Sequence, residues 1–339
     1  MMKKVVLGID IGGTSTKMGY VDREGNVLCN TSFHMPVDAS LMRPEEFVFR
    51  LYETAQQLYS ENAASTKILG IGIGAPNGNY YKGTVEFAAN LPWHNEIIQL
   101  TQLFQKYYSD IPIKLTNDAN AAALGEMLYG GAKGMKDFIF ITLGTGLGSG
   151  FVSNGNLIYG QDGFAGEMGH LTMVPNGRKC GCGREGCLET YVSATGVKQT
   201  AFELLAKHYF TETSLLKQFS YDTMTAKDIA EAAQSNDVIA KEVFEETGEM
   251  LGMALADMVA ITSPEAIFIY GGLANAGDLI MKPTRRSLDR NILKNFKRKD
   301  EKGDILAEAN VKLILSELNS KQGAILGAAA LAWKEILGK

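Results

Sequence analysis

KVVLGIDIGGTSTKMGYVD, residues Lys4–Asp22, is the stretch whose reading decides the fold. An apolar run ends at Asp10, a small-residue turn follows at Gly12, Gly13 and Thr14, and a second strand-like run leads to Val21. The pattern is strand, glycine turn, strand. About 132 residues further on, FIFITLGTGLGSGFV (Phe138–Val152) repeats it. Two such units predict a duplicated α/β architecture in which two similar halves face each other.

Around these units the chain alternates in the α/β manner. Apolar residues at Phe47, Leu51, Ala55, Leu58 and Tyr59 have helical spacing and predict a helix over Pro44–Asn62. Ile68–Gly74, Ile111–Leu115 and Ala266–Tyr270 read as strands, and Ala119–Tyr129 and Asp237–Ile261 as helices. Ser320–Leu337 reads as a closing helix in which Gly323 and Gly327, four positions apart, permit close packing. No flexible linker is visible, so the boundary between the halves is expected near Asn117.

Composition narrows the function. At 339 residues the chain has room for two domains, and 45% apolar residues supply their cores. A net charge of −5 without a basic cluster argues against nucleic acid as a partner. Lys297-Arg298-Lys299 is followed at once by Asp300 and Glu301 and reads as a solvated surface. The first apolar run is broken by Asp10 and lacks a cleavage site, and no run of about 18 apolar residues exists. No membrane partner is expected, and the cytoplasm is the expected compartment.

There is no Walker sequence, so any ATP must be held another way. In the first turn, glycines let backbone N–H groups approach an oxyanion. Thr14 adds a hydroxyl, Lys17 a positive charge, and Asp10 a carboxylate able to orient the waters around Mg²⁺. The second turn, Gly144-Thr145-Gly146 onward, offers the same kind of cradle. Either turn alone is equally a tight hairpin; it is their pairing in a duplicated chain that points to phosphate. A Gly-x-Gly-x-x-Gly string at Gly181, Gly183 and Gly186 follows no strand and is not a dinucleotide fingerprint.

That string lies inside CGCGREGCLE, Cys180–Glu189, ten residues after His170. Three thiolates and one imidazole form a Cys₃His set suited to a closed, structural Zn²⁺ site. Cys29 stands apart and reads as a core residue. Glu167 precedes His170 by three positions, so on a helical segment the two share a face. Glu189 follows Cys187 by two and is alternatively a helix-start acid. In NDANAAALGE, Asn117–Glu126, a strand delivers Asp118 to the start of a small-residue helix. Taken alone, an aspartate there is most simply a cap.

Together these motifs resemble the ROK family of sugar kinases, repressors and open reading frames. The resemblance rests on Asp10–Thr14, Asn117–Ala122, Gly144–Gly150, Glu167–His170, Cys180–Glu189 and Tyr270–Asn275, and covers nearly the whole chain. It implies the actin-like ATPase (ribonuclease H-like) fold, with two α/β domains flanking a cleft. Residues 1–117 with a C-terminal helix over 321–339 would form the smaller domain, and 118–320 the larger one carrying the zinc loop. It implies ATP-dependent phosphorylation of the 6-hydroxyl of a hexose, with Mg²⁺ and with glucose expected.

Asp118 then corresponds to the general base. Asn90, Asn117, Glu167, His170 and Glu189 correspond to sugar-binding residues. Asp10, Gly12, Gly13, Thr14, Lys17, Gly144, Thr145, Gly146, Gly271 and Gly272 correspond to the nucleotide site, with Leu273 where the family often has a third glycine. His170, Cys180, Cys182 and Cys187 correspond to the zinc set, with His170 facing sugar on one nitrogen and metal on the other. The resemblance admits other hexoses: N-acetylglucosamine, N-acetylmannosamine, mannose or fructose. A sugar-responsive repressor is not expected, because the first strand begins at Lys4 with no helix-turn-helix before it. A homodimer or homotetramer is implied.

Overall fold

Along Lys3–Ile11 (β1) every side chain from Val5 to Ile9 is buried except for the absent one of Gly8. Successive strand residues point to opposite faces, so an unbroken buried run means that both faces of this strand are covered. The computed structural model, which describes residues 2–35, 42–210, 213–318 and 322–338, accounts for both covers.

β1 continues into β2 (Ser15–Val21) and β3 (Val27–His34), and α1 (Pro44–Asn62) leads to β4 (Thr66–Ala75). A small three-stranded sheet, β5 (Gly78–Asn79), β6 (Thr84–Glu86) and β7 (Ile97–Ile98), precedes α2 (Leu100–Gln105), β8 (Ile113–Asn117) and α3 (Asp118–Tyr129). The second half repeats the plan with β9 (Phe138–Leu143), β10 (Leu147–Ser153) and β11 (Asn156–Leu157). Then come α4 (Glu189–Val192), α5 (Ala194–Lys207), α6 (Ala226–Gln234), α7 (Val238–Thr262), β12 (Ala266–Tyr270) and α8 (Asp278–Asn291). A hairpin of β13 (Lys297–Lys299) and β14 (Ile305–Ala309), then β15 (Lys312–Leu315) and α9 (Gly323–Leu337), complete it.

The two main sheets have one topology. The first runs β3-β2-β1-β4-β8 and the second β11-β10-β9-β12-β15. In each the first three strands are antiparallel neighbours, the fourth pairs in parallel with the first (β4 with β1, β12 with β9), and the fifth pairs in parallel with the fourth (β8 with β4, β15 with β12). The duplication read from the two glycine turns is therefore a duplication of whole sheets.

Three cores result. The outer face of the first sheet packs on α1 and α2 through Val5, Leu7, Ile9, Phe47 and Phe104. The outer face of the second packs on α5 to α8 through Ile139, Ile141, Val197, Phe244 and Leu255. Between the sheets lies a shared core of α3 and α9, where Val6, Phe138 and Phe140 meet Ala123, Ala329 and Trp333. Small residues make this middle layer thin. A Cβ on Gly72 or Gly8 would overlap the backbone of α9 at Ala328 or Ile325. Gly125 and Gly327 meet where α3 crosses α9. The close packing expected of Gly327 is thus present, and α3 links both sheets, since a Cβ on Gly150 of β10 would stand 2.7 Å from Ala123 Cβ. Ser320 and residue 321, where the closing helix and its domain segment were expected to begin, lie outside the described residues. No helix among the described residues is long and apolar enough to cross a membrane.

Candidate active site

The candidates collect where parallel strands end. In the first sheet Asp10 pairs across to Gly74 of β4, and Ala75, the next residue, pairs with Asn117 of β8. The ends of parallel strands are where open α/β sheets bind ligands, because loops diverge there and leave a crevice. Asp118, one step past β8, opens α3. Gly74 stands between the two acids: a Cβ there would lie 3.6 Å from Asp118 Cα and 3.9 Å from Asp10 Oδ1.

The capping reading of Asp118 needs correction. Asn117 is the N-cap, its Oδ1 accepting from Ala119 N at 2.9 Å. Asp118 is the first helical residue, and its Oδ1 also accepts from Ala119 N at 2.8 Å. One carboxylate oxygen is thereby held, while the side chain keeps water-accessible surface although protein surrounds it on most sides. That surrounding protein pushes the Asp118 pKa up, opposed by the backbone hydrogen bonds.

Asp10 is pushed up to about 7, first by burial and then by the charge of Asp118, with Lys17 opposing. Lys17 stands directly across from Asp10 on β2, so the two share a sheet face. Glu167 is raised too, chiefly by burial, with His170 lowering it and Asp118 and Glu189 adding repulsion. The charge of Asp118 therefore reaches both Asp10, its neighbour across Gly74, and Glu167. The second sheet closes the arrangement: Tyr270, at the end of β12, feels the charge of Asp10 after burial as the larger cause.

The glycine turns occupy matching places. Gly12 N donates to Ser15 O at 3.0 Å, and Gly144 N donates to Gly146 O at 3.0 Å. Thr14 and Thr145 are exposed at the two tips. The backbone of Asn90 lies against Gly13, whose added Cβ would stand 3.1 Å from Asn90 Cβ. Gly271 has φ +108°, and a Cβ there would overlap the Leu143 carbonyl, so this turn must be glycine and sits beside the Gly144 turn. Gly272, next to it, has open space where a side chain would be.

The cysteine loop comes together around His170. The ligand atoms of His170, Cys180, Cys182 and Cys187 all lie within 4.8 Å of one another. Cys182 Sγ to Cys187 Sγ is 3.7 Å and Cys180 Sγ to His170 Nδ1 is 3.6 Å. A tetrahedral cation with metal–ligand bonds of about 2.0–2.3 Å sets edges of about 3.5–3.8 Å, so the donors fit one. Burial, the largest cause, pushes the Cys180 thiol up to about 12 and the Cys187 thiol up as well. Thiolates packed this closely need a positive charge among them.

The loop is wired to the carboxylates. Met168–His170 is a short 3₁₀ turn, and His170 Nε2 stands 4.0 Å from Glu167 Oε2 while Nδ1 faces the cysteines. Glu189 begins α4, yet its Oε2 accepts from Leu147 N at 2.8 Å and its Oε1 lies 3.8 Å from Cys180 Sγ. It joins the second glycine turn to the metal loop instead of serving its own helix. A Cβ on Gly146 would overlap Glu189 Oε2, so any larger residue there would displace this carboxylate.

Two residues were not read from the sequence. Ser149 donates to Gly166 O and accepts from Met168 N at 3.2 Å, fixing both sides of Glu167. Arg178 grips Glu203 with Nε and Nη2 and donates to Thr190 O at 2.7 Å, clamping the metal loop to α5. A basic residue two positions before Cys180 was the only available sign of the latter. A separate crevice lined by Tyr80, Asn156, Tyr159, Lys334 and Glu335 contains none of the candidates.

Comparison with known proteins points to one family. The ROK family pattern matches residues 6–335. A glucokinase of Streptomyces coelicolor is 35% identical over 333 residues, covering 97% of each chain. A glucokinase of Halalkalibacterium halodurans is 34% identical over 297 residues, covering 85% of this chain and 86% of the relative. The crystal structure of a ROK family glucokinase from Streptomyces griseus, in complex with glucose and AMPPNP, superposes with a TM-score of 0.76. It is 31% identical, covers 97% of this chain and 99% of its own, and bears out the actin-like ATPase fold expected from the sequence. With the family pattern running through both sheets, the carboxylates and the cysteine loop, this chain belongs to the ROK family.

Proposed function

We propose that this chain is an ATP-dependent glucokinase, transferring the γ-phosphoryl group of ATP to the 6-hydroxyl of glucose. One observation carries the reading: Asp118 and Asp10, which leads into the first glycine turn, flank Gly74, and the charge of Asp118 also reaches Glu167, three residues before His170. A base so placed can serve the phosphate-binding groups of that turn and the sugar-binding groups near the cysteine loop together. Glucokinases at 34–35% identity over most of the chain support the choice of sugar.

In this reading Asp118 is the catalytic base. It orients the 6-hydroxyl and accepts its proton as the new oxygen–phosphorus bond forms and the bond to the bridging β–γ oxygen breaks, releasing ADP. Asn90, Asn117, Glu167, His170 and Glu189 hold the remaining hydroxyls. Glu167 and Glu189 act as acceptors, and Asn117 contributes its amide while its oxygen caps α3. Gly12, Gly13, Thr14 and Lys17 from one half, and Gly144, Thr145 and Gly146 from the other, present N–H groups, hydroxyls and charge to the phosphates. Gly271 and Gly272 leave room for the adenosine side.

Magnesium, when bound, neutralises the phosphate oxygens, and Asp10 is the carboxylate that would hold its waters. His170, Cys180, Cys182 and Cys187 would hold Zn²⁺, which supplies a fixed anchor for the imidazole and, through it, for Glu167. The working division is residues 1–117 with the C-terminal segment 321–339, which contains α9, against 118–320, α3 being the element both share. A cytoplasmic homodimer or homotetramer is the expected form.

The test is a hexose panel with purified protein, ATP and Mg²⁺, reading sugar phosphate by mass and ADP by a coupled assay. Glucose should give the highest kcat/KM. A higher value for N-acetylmannosamine or N-acetylglucosamine would move the substrate assignment, and ADP release unaffected by every sugar would refute the kinase reading.

A further inference from the structure

The segment Tyr159–Gly166 leads from the edge of the second sheet into Glu167, and it is held by both halves of the molecule. On the side of the second sheet Ser149 binds Gly166 O and Met168 N. On the side of the first, Asn79 Nδ2 donates to Asp162 O at 2.8 Å, and Tyr81 OH donates to Gly160 O at 3.0 Å. The Tyr80 and Tyr159 rings stack across the same junction, 4.0 Å apart and 5° from parallel.

Asn79 stands out among these contacts because it is fully buried, at 0% exposure. The two ends of its amide do different work. Oδ1 accepts from Tyr81 N and Lys82 N, both at 3.1 Å, and so closes the turn between β5 and β6. Nδ2 alone reaches across to the other half. The fit is close on that side too: Gly163 has φ +91°, and a Cβ there would stand 2.7 Å from Asn79 Oδ1. A buried amide whose hydrogen bonds are all to backbone fixes geometry without doing chemistry.

We propose that Asn79 is a positioning residue for sugar binding: its amide fixes the strap that delivers Glu167 and His170, and it ties that strap to the first half of the molecule. The strap is pinned to both halves, so the placement of Glu167 depends on how the halves sit relative to each other. Sugar contact and cleft closure are thereby one coupled event. The role for sugar rests on the kinase reading above; the tie itself does not.

Asn79→Asp separates the two functions of the amide. It keeps the acceptor that closes the turn and sets an oxygen against the Asp162 carbonyl where a donor stood. The expected result is a KM for the hexose at least tenfold higher and a KM for ATP within twofold of wild type, with a lower thermal midpoint because a carboxylate then stands fully buried against a carbonyl. Asn79→Ala, which also opens the turn, should lower the thermal midpoint as well. Amide hydrogen exchange read across 159–168 should quicken in Asn79→Asp and stay unchanged in α7. That readout needs no turnover: if the wild type phosphorylates no hexose, the kinase reading fails while exchange still tests the tie. Unchanged exchange, an unchanged hexose KM, or equal rises in both KM values would overturn the proposal.

Discussion

Replacing Asp10 by Asn should flatten the pH dependence of stability in the magnesium-free, nucleotide-free protein. In the folded chain Asp10 is pushed up to about 7, by burial first and by Asp118 second. In the unfolded chain an aspartate titrates near about 3.9. Because the folded-state pKa is the higher one, the folded chain holds a proton that the unfolded chain has released between those values. The stability tied to that proton is present in acid and is lost as pH rises toward 7. Integrating over the rise from pH 5 to pH 8 gives a loss of about 2.5 kcal/mol assignable to this residue. For a chain of this size that is a fall of about 4 °C in Tm. The assay is thermal unfolding of wild type and Asp10→Asn side by side in steps of pH, with chelator present. The gap between the two should widen in favour of the variant as pH rises. In an Asp118→Asn background the widening should shrink and move to lower pH, because one of the two causes has gone. A gap that stays constant, or that widens toward acid, would refute the crowding of these two carboxylates.

Two further outcomes follow from the packing and from the cysteine loop. Cys182→Ser, or prolonged chelation, should lower the Tm and raise the hexose KM while leaving the ATP KM nearly unchanged; metal analysis of the wild type should find about one zinc per chain. Gly72→Ala forces a methyl group into the Ala328 carbonyl of α9 and should cost about 1–3 kcal/mol of stability, read by denaturant midpoint, because backbone rather than a flexible side chain must move.

Much of this architecture was legible because local pattern and tertiary need coincide. The helix expected at Pro44–Asn62 and the strand at Ala266–Tyr270 appear with those bounds, since each has one periodicity and clear ends. The metal loop was readable because four residues of two scarce types, one histidine and three cysteines, fall within eighteen residues of sequence. What stayed hidden depends on backbone partners. Asn79 finds its partner in a carbonyl 83 positions away, and a carbonyl has no signature in a sequence. Glu189 could be read as a helix-start acid, but not as the acceptor for Leu147 N, a contact that exists only once β10 lies beside the loop. Asn117 and Asp118 each suit a cap, and only the geometry divides the work between them. Gly8 and Gly72, glycines inside strands, carried a readable sign of close backbone approach, and α9 is what approaches.

The account depends most on Asp118 acting on the sugar hydroxyl rather than shaping the site. The direct measurement is made on one preparation of Asp118→Asn: glucose affinity by calorimetry, and the rate of glucose 6-phosphate formation with saturating ATP and Mg²⁺. Glucose binding should remain within a few-fold of wild type while turnover falls by about 10²–10⁴. Turnover near that of wild type, or turnover lost only in step with glucose binding, would contradict it.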